Sequence, residues 1–299
     1  MSDLADLFPG FQSHWIDTRA GRFFARSGGG GPALLLLHGY PQTHVLWHKI
    51  APRLAEHFTV VAMDLRGYGW SSLPEGRNGE GMSKRLMAQD AVDVMEQLGH
   101  VRFRLIGHDR GGRVAYRLAY DQPGRLEKVA VIDIVPTAAM FADMDNTEAA
   151  LRKYHWLFLA QPAPFPETLI GSAARYYLDH TLASWTANKD LSAYDPRALE
   201  HYRKAFEDPA RIAASCEDYR AGALIDRLMD EADLRAGRKI EVPLLAIWGD
   251  AGLPSAGGSP LDVWRRYAPH ALGTPVRSGH FVPEENPAAC ADALLEFLR

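Results

Sequence analysis

Cysteine is scarce in this chain, which has only Cys216 and Cys290 among its 299 residues. Small secreted domains depend on several disulfides, and two cysteines cannot supply such a framework for a chain of this length. We therefore expect a protein of a reducing compartment, folded around an apolar core. Its 47% apolar and 23% charged residues fit an ordinary globular protein.

Long hydrophobic runs are also missing from the sequence. No apolar stretch approaches the roughly 20 residues that a helix needs to cross a bilayer. The opening residues "MSDLADLFPGF" carry acids where a secretory signal has basic residues. The formal net charge of -4 gives no reason to expect nucleic acid or an anionic membrane as a partner. We therefore expect a soluble cytoplasmic protein whose partner is a small molecule.

Two features that could suggest a cofactor are incomplete. The glycine run "SGGGGP" lacks the Gly-Lys-Ser/Thr ending of a phosphate-binding loop, and it predicts a tight connection instead. His38, His44 and His48 lie close together in the sequence, but no cysteine or carboxylate accompanies them at the spacing of metal ligands. We expect neither a metal nor another cofactor.

Short apolar runs alternate with helical patterns along much of the chain. "ALLLL" and "FTVVAMD" are apolar at nearly every position, which is typical of strands buried on both faces. A helix over residues 83–98, the strand "FRLIG", a helix over 112–120 and the strand "KVAVIDIV" follow. This alternation predicts an α/β fold with a mostly parallel central sheet, preceded by an antiparallel hairpin of "HWIDT" and "RFFARSG".

The alternation stops near Pro136 and resumes at "VPLLAIWG". Between these points the pattern is helical, rich in aromatic residues and interrupted by "QPAPFPE". We interpret residues 137–226 as a helical cap inserted after strand 6, over a core of residues 1–136 and 227–299. A helix near "DVWRRYA", a short strand "PVRS" and a helix over 287–298 are predicted to complete the core. Insertions of this kind often form lids over active sites.

An aspartate stands in "GHDRGGR" where many hydrolases carry a nucleophilic serine. The strand before it and the helix after it match a nucleophile elbow of the form Gly-x-Asp-x-Gly, in which glycines leave room for a tight turn. Asp109 is therefore a candidate nucleophile, and an aspartate that only caps the helix is the alternative. In such elbows the oxyanion hole uses two backbone N–H groups, here predicted to be those of Tyr40 and Arg110.

An ester formed on Asp109 has to be hydrolysed, and this step needs a general base, usually histidine. His280, in "RSGHFVPEENP", follows the last predicted strand and comes after Asp109 in chain order, as the base does in this arrangement. Asp133 at the end of "VAVID" and Asp250 in "IWGD" are both candidates to orient the histidine. We prefer Asp133.

These motifs resemble those of α/β-hydrolases of the dehalogenase and epoxide-hydrolase branch. The general match runs through "HGYPQTH", "DLRGYGWS", "GHDRGGR", "DIVPT" and "SGHFVPEE", which span nearly the whole chain. "HDRGGR", "YHWLFLAQPAP" and "CEDYRAGA" narrow the resemblance to the fluoroacetate (haloacetate) dehalogenases. The resemblance implies an α/β-hydrolase fold with a cap, no cofactor and, in many relatives, a homodimer. Relatives often place their acid at the position of Gly252, and its absence there favours Asp133 over Asp250.

The same resemblance assigns five binding residues. Arg110 and Arg113 would hold the substrate carboxylate, for which planar guanidinium groups are well suited because they bind it bidentately. His155, Trp156 and Tyr219 would hold the departing halide. Fluoride is a strong hydrogen-bond acceptor, and three convergent donors would replace part of its lost hydration.

The sequence thus predicts a hydrolase acting on carbon–halide bonds, which converts a short 2-haloacid such as fluoroacetate to glycolate and halide through an aspartyl ester. One alternative is an epoxide hydrolase with the same Asp/His machinery, in which Tyr154 and Tyr219 would be the proton donors. The two arginines argue against a neutral epoxide, which would leave buried cations without a counter-ion. A non-catalytic member of the fold that binds a small acid is the other alternative.

Overall fold

The computed structural model describes residues 4–145, 147–252 and 259–299 and contains one eight-stranded sheet. Its strands are β1 (Gln12–Thr18), β2 (Gly21–Gly28), β3 (Ala33–Leu37), β4 (Thr59–Met63), β5 (Phe103–His108), β6 (Leu126–Ile132), β7 (Leu244–Gly249) and β8 (Leu272–Val276). They lie in the order β1-β2-β4-β3-β5-β6-β7-β8. β2 is antiparallel to β1 and to β4, and the other neighbouring strands are parallel. The predicted α/β fold is confirmed.

Helices surround this sheet on both faces, which explains why the central strands are apolar at nearly every position. The α-helices are α1 (Ala51–Ala55), α2 (Lys84–Gln97), α3 (Arg110–Asp121), α4 (Thr137–Ala142), α5 (Thr147–Arg152), α6 (Tyr154–Leu159), α7 (Phe165–Gly171), α8 (Ala174–Trp185), α9 (Pro196–Phe206), α10 (Pro209–Ala221), α11 (Arg227–Arg235), α12 (Pro260–Tyr267), α13 (Val282–Glu285) and α14 (Pro287–Leu298). Short 3-10 helices occur at His44–Trp47, Glu80–Met82 and Pro123–Arg125.

The segment between β6 and β7 is helical, from α4 to α11. Helical structure begins at Thr137, where the cap was predicted to begin. It continues past 226, because a π-helix at Gly222–Asp226 joins α10 directly to α11. Below, residues 137–226 are called the cap segment. Its side chains meet the sheet domain through buried hydrogen bonds, such as the one from the Tyr68 hydroxyl to Asp218.

Two predicted boundaries differ from the structure. α3 begins at Arg110, directly after the elbow, and not at residue 112. The last strand was predicted as "PVRS", whereas β8 starts three residues earlier and ends at Val276. Its pairing with β7 extends from Leu272 to Val276, and as an edge strand it accommodates Pro275. Within the described ranges, no helix is both long and apolar enough to cross a membrane.

Candidate active site

The carboxyl ends of the parallel strands meet at one edge of the sheet, and Asp109 lies there, directly after β5. Its φ of 45° and ψ of -116° are an unusual conformation for a non-glycine residue, typical of strained turns at functional sites. The flanking glycines permit this turn. A Cβ on Gly107 would lie 2.3 Å from the Gly111 carbonyl oxygen, and one on Gly111 would lie 2.3 Å from that of Leu37. Asp109 makes no side-chain cap bond to α3, so the helix-cap alternative does not explain its position.

The Asp109 carboxylate is buried and accepts a hydrogen bond from the backbone N–H of Tyr40, at 3.1 Å from Oδ1. Burial alone would raise the pKa of Asp109, but the charges of His280, Arg110 and Arg113 hold it below its ordinary value. The group is therefore ionised at neutral pH, as a nucleophile must be. The Tyr40 amide lies where the sequence predicts an oxyanion-hole donor.

His280 and Asp133 form a buried pair beside this carboxylate. His280 Nδ1 lies 2.6 Å from Asp133 Oδ2, and the other oxygen of Asp133 accepts the Gly249 N–H at 2.9 Å. His280 Nε2 points to the nucleophile, 3.9 Å from Asp109 Oδ2, and has no hydrogen-bond partner within the described parts of the chain. Burial opposes the charged imidazolium, but the bond to Asp133 and the nearby carboxylates hold the pKa of His280 above its ordinary value.

Asp250, the other candidate for the orienting acid, lies apart from the histidine. It is exposed, and its carboxylate accepts the backbone N–H of Ser278 at 3.2 Å. Asp133 holds its position because the turn after β6 gives it a φ of 51° and its own N–H bonds to the Ile247 carbonyl. The geometry therefore favours Asp133 as the partner of His280.

Arg110 and Arg113 both lie buried at the start of α3, one helical turn apart. Their guanidinium carbons stack on the same Trp156 ring, 5.1 Å and 4.4 Å from its centroid, and Arg110 also lies 4.4 Å from the ring of Tyr219. Arg113 donates to two neutral oxygens, Val135 O and Thr137 Oγ1, at 3.0 and 3.1 Å. Both arginines thus stand between the nucleophile turn and the cap segment.

Arg110 also has a carboxylate partner that the sequence gave no reason to expect. Its Nη2 donates to Oδ1 and to the backbone carbonyl of Asp218, at 2.6 and 2.7 Å. The argument that a neutral substrate would leave both arginines without a counter-ion is therefore wrong for Arg110. Asp218 precedes Tyr219 in α10, and only its position beside a predicted binding residue could have pointed to it.

His155, Trp156 and Tyr219 converge on the same space from α6 and α10. The ring of Tyr219 lies edge-on to His155 and Trp156, with centroids 5.8 and 5.3 Å away. Burial lowers the pKa of His155 to about 3, so its ring is neutral at physiological pH. His155 Nδ1 and the Tyr219 hydroxyl are buried and find no hydrogen-bond partner among the residues described. The structure thus brings together all three residues predicted to hold the halide, and two of their polar groups, His155 Nδ1 and the Tyr219 hydroxyl, are free to bind a ligand.

Other aromatic residues of the cap segment differ in how close they come to the site. Trp185 is a wall of it, with ring centroids 4.4 Å from His155 and 5.3 Å from His280. Tyr154, predicted as a possible donor to an epoxide, is 42% exposed. A cavity of about 280 Å³ reaches His280 from the surface side and is lined by Arg152, Ser184, Trp185, Lys189, Ala251, Gly252 and His280.

The three histidines near the oxyanion loop have structural partners. His44 Nδ1 lies 2.9 Å from Asp64, His38 Nε2 accepts the N–H of Leu65, and His48 bonds a backbone carbonyl. Within residues 4–145, 147–252 and 259–299, no group of three or more His, Cys, Asp or Glu side chains is arranged to hold a metal ion. The arrangement described above can act through its own carboxylate and imidazole groups.

Known proteins share this architecture. The family model for the alpha/beta hydrolase fold matches residues 32–287. A fluoroacetate dehalogenase from Burkholderia sp. is 42% identical, over 98% of this chain and 95% of its own length. A soluble epoxide hydrolase from a Corynebacterium species is 31% identical, over 97% and 95% of the two chains. A solved structure from a Nostoc species, assigned to the α/β hydrolases, is 48% identical with a TM-score of 0.92, and 96% of this chain aligns with 98% of that one.

These similarities confirm the resemblance that the motifs indicated, and they confirm a hydrolase. The relatives named above include a dehalogenase and an epoxide hydrolase. Overall similarity therefore does not distinguish a halogenated substrate from an epoxide, and the chemistry of the site has to decide between them.

Proposed function

Because the chain belongs to the α/β-hydrolase family, we propose that it hydrolyses short 2-haloacids, such as fluoroacetate or another haloacetate, to the 2-hydroxy acid and halide. The observation that carries this proposal is the pair of buried arginines, Arg110 and Arg113, against Trp156 and beside the ionised Asp109. Guanidinium groups bind carboxylates, so a substrate with an acid group next to its reacting carbon fits this site. The similarity to a fluoroacetate dehalogenase supports the same substrate class.

In the first step, Arg110 and Arg113 hold the substrate carboxylate while an oxygen of Asp109 attacks the carbon that bears the halogen. A carbon–oxygen bond forms, the carbon–halogen bond breaks, and the halide leaves with the bonding electron pair. The products of this step are an ester on Asp109 and a halide ion.

His155, Trp156 and Tyr219 receive the halide. A neutral His155 and the Tyr219 hydroxyl can each donate a hydrogen bond, because both groups are buried without a protein partner in the regions the structure describes. The Trp156 indole is the third donor of the proposed set. A fluoride ion accepts hydrogen bonds strongly, so these donors assist fluoride more than the larger halides.

In the second step, His280 takes a proton from water, and the resulting hydroxide attacks the Asp109 carbonyl carbon. Asp133 orients the imidazole and stabilises its charged form through the 2.6 Å contact at Nδ1. The backbone amides of Tyr40 and Arg110 stabilise the negative charge of the tetrahedral intermediate. The bond from the carbonyl carbon to the substrate oxygen then breaks, His280 gives its proton to that oxygen, and the 2-hydroxy acid leaves. The Asp109 carboxyl group loses its remaining proton to solvent, which restores the carboxylate and the neutral His280.

An epoxide hydrolase is the second candidate, favoured by the Corynebacterium relative and by the buried Tyr219 hydroxyl, which could protonate an epoxide oxygen. The proposed haloacid substrate accounts for more of the site. An epoxide offers no anion to Arg113, whose burial lowers its pKa and whose hydrogen bonds go to neutral oxygens. An epoxide also releases no halide ion that could accept a hydrogen bond from the His155 ring.

The experiment that tests the proposal measures halide release from fluoroacetate, chloroacetate and 2-chloropropionate, with diol formation from a neutral epoxide as the control. We expect halide and the matching 2-hydroxy acid, with a kcat/KM at least ~30-fold above that for the epoxide, the lower end of what it costs to leave one member of a buried charge pair without its partner. Diol formation without halide release from any of the acids would overturn the proposal in favour of the epoxide.

A further inference from the structure

Arg110 belongs to a buried ion network that joins the cap segment to the sheet domain. Asp218 on α10 receives Arg110 Nη2 at 2.6 Å, the Tyr68 hydroxyl at 2.8 Å and the ammonium group of Lys84. Lys84 also lies 3.9 Å from the carboxylate of Asp226 and gives its backbone N–H to the other oxygen of that group. Asp218, Arg110 and Lys84 are all at most 1% exposed.

This network engages only one nitrogen of the Arg110 guanidinium. Nη2 makes both bonds to Asp218, whereas Nε and Nη1 are buried and lack a hydrogen-bond partner in the described chain. Arg113 Nε is likewise buried without a hydrogen-bond partner among the described residues. Buried N–H groups without an acceptor are costly, so the site is complete only when a ligand supplies acceptors.

The same network shows how the Asp218 carboxylate can lie beside the proposed substrate-binding arginine without taking the place of the substrate carboxylate. Burial would raise the pKa of Asp218, but Arg110 and Lys84 together hold it far below its usual range, so the group carries its charge. Lys84 contacts the same Asp218 oxygen as Arg110, Oδ1, and the Tyr68 hydroxyl donates to the other oxygen, Oδ2. The single negative charge of Asp218 is therefore shared between Arg110 and Lys84, and it does not fully compensate the positive charge of Arg110.

We propose that Asp218 is a positioning residue for carboxylate recognition: it fixes the Arg110 guanidinium through Nη2, and Lys84 and Tyr68 hold Asp218 in place. The inference rests on the proposed function, since it assigns the anchor of the haloacid carboxylate. It gives a role to two residues that the mechanism leaves unused, the tyrosine of "DLRGYGWS" and the aspartate of "CEDYRAGA". It also makes anion recognition depend on the cap segment being docked on α2 and α3.

The test compares a charged substrate with a neutral one of the same shape, chloroacetate and chloroacetamide. In Asp218→Asn we expect kcat/KM for chloroacetate to fall by ~30-fold or more, mainly through KM, because the guanidinium loses its charged anchor. Turnover of chloroacetamide should change by less than about 3-fold, since an amide does not depend on a charge-charge contact with Arg110. A purely structural role would lower both activities together.

Asp233→Asn is the matched control. Asp233 pairs with Arg117 on the same helix α3, at 2.6 Å, but two turns beyond Arg110 and outside the site. Its loss should lower the melting temperature as the loss of a buried ion pair does, while the ratio of the two activities stays unchanged. If Asp218→Asn does not fold, Tyr68→Phe removes one support of Asp218 with a smaller cost, and we expect the same selective change at about 2- to 10-fold.

A binding measurement separates this inference from the proposed function. Calorimetric titration of chloroacetate into Asp109→Asn, with and without Asp218→Asn, reports carboxylate affinity without turnover. Weaker binding in the double variant supports the positioning role even if the wild-type protein released no halide. Equal or tighter binding would overturn it, because Asp218 would then be a bystander or a competitor of the substrate for Arg110.

Discussion

The two halves of the site, one from the sheet and one from the cap segment, are prepared in opposite ways. On the sheet side, Asp109, Asp133 and His280 are already bonded to one another or to backbone amides. On the cap side, His155 Nδ1 and the Tyr219 hydroxyl are buried with no partner in the residues that the structure covers. Protein contacts therefore hold the three sheet-side groups in place, with His280 Nε2 left open toward Asp109, whereas the two cap-side groups need an acceptor from a ligand.

This difference divides the work of the proposed reaction. Groups at strand ends are fixed by sheet register and by tight turns, which suits bond-making steps that tolerate little misplacement. In the proposed reaction, donors of the cap segment that lack a protein partner among the described residues determine which leaving group is accepted. Substitutions on the sheet side should therefore abolish turnover, and those on the cap side should change selectivity.

The largest effect is expected from His280→Ala, which leaves the first step intact and removes the base of the second. One equivalent of halide per active site should be released, and the peptide that contains Asp109 should gain the mass of one carboxymethyl group. Intact-protein and peptide mass spectrometry after incubation with chloroacetate measure this ester. Continued turnover without an adduct would show that water attacks the substrate directly.

Asp133→Asn should cause the next largest loss, on the order of 10³- to 10⁴-fold in kcat, because an amide no longer fixes the tautomer of His280 or stabilises its charge. Asp250→Asn is the matched control, an exposed carboxylate near the same sheet edge that contacts Ser278 and not the histidine. Its activity should stay within about 3-fold of wild type, as for most surface substitutions. Equal losses in the two variants would contradict the assignment of Asp133.

The contrast between the two halves also separates what the sequence could predict from what it could not. Asp109 follows a strand whose apolar run is evident in the sequence, and the chain order of Asp109 and His280 is that of a known arrangement. Local patterns thus indicated the sheet, the elbow and the base. Asp133 and Asp250 both end apolar strands, and the preference between them came from the resemblance until the geometry separated them.

The ion network of Arg110 could not be predicted in this way. Lys84 stands at the start of an amphipathic helix, a position that usually faces solvent, yet it is buried against Asp218, 134 residues further along the chain. Contacts of this kind depend on how the cap segment docks on α2. No periodicity in either segment records that docking.

On the cap side, Tyr219→Phe should lower the rate of fluoride release by ~10- to 100-fold, near or below the usual cost of one lost transition-state donor. Bromoacetate should lose less than about 5-fold, since bromide is a better leaving group and accepts hydrogen bonds weakly. Tyr154→Phe on the neighbouring helix is the control and should leave both rates unchanged, because Tyr154 is 42% exposed. Equal losses for fluoride and bromide would show that Tyr219 shapes the pocket without binding the halide.

The smallest expected effect is a shift in the titration of His280 when Asp109 loses its charge. Burial opposes protonation, but Asp133 and then Asp109 hold the pKa of His280 above its ordinary value in the free enzyme. A protonated imidazole cannot act as base, so ester hydrolysis should slow as the pH falls through the pKa that His280 has in the ester. In the ester the charge of Asp109 is gone, and the pKa of His280 should therefore be lower than in the free enzyme.

This shift can be measured by NMR titration of the His280 ring in the wild-type protein and in Asp109→Asn, which imitates the uncharged ester. The pKa should be lower in the variant, and the pH limb of single-turnover ester hydrolysis should follow the variant's titration. Asp250→Asn should leave the titration unchanged. If Asp109→Asn also left the titration of His280 unchanged, Asp109 and His280 would not be electrostatically coupled. Formation of the ester would then not prepare the base for its own step.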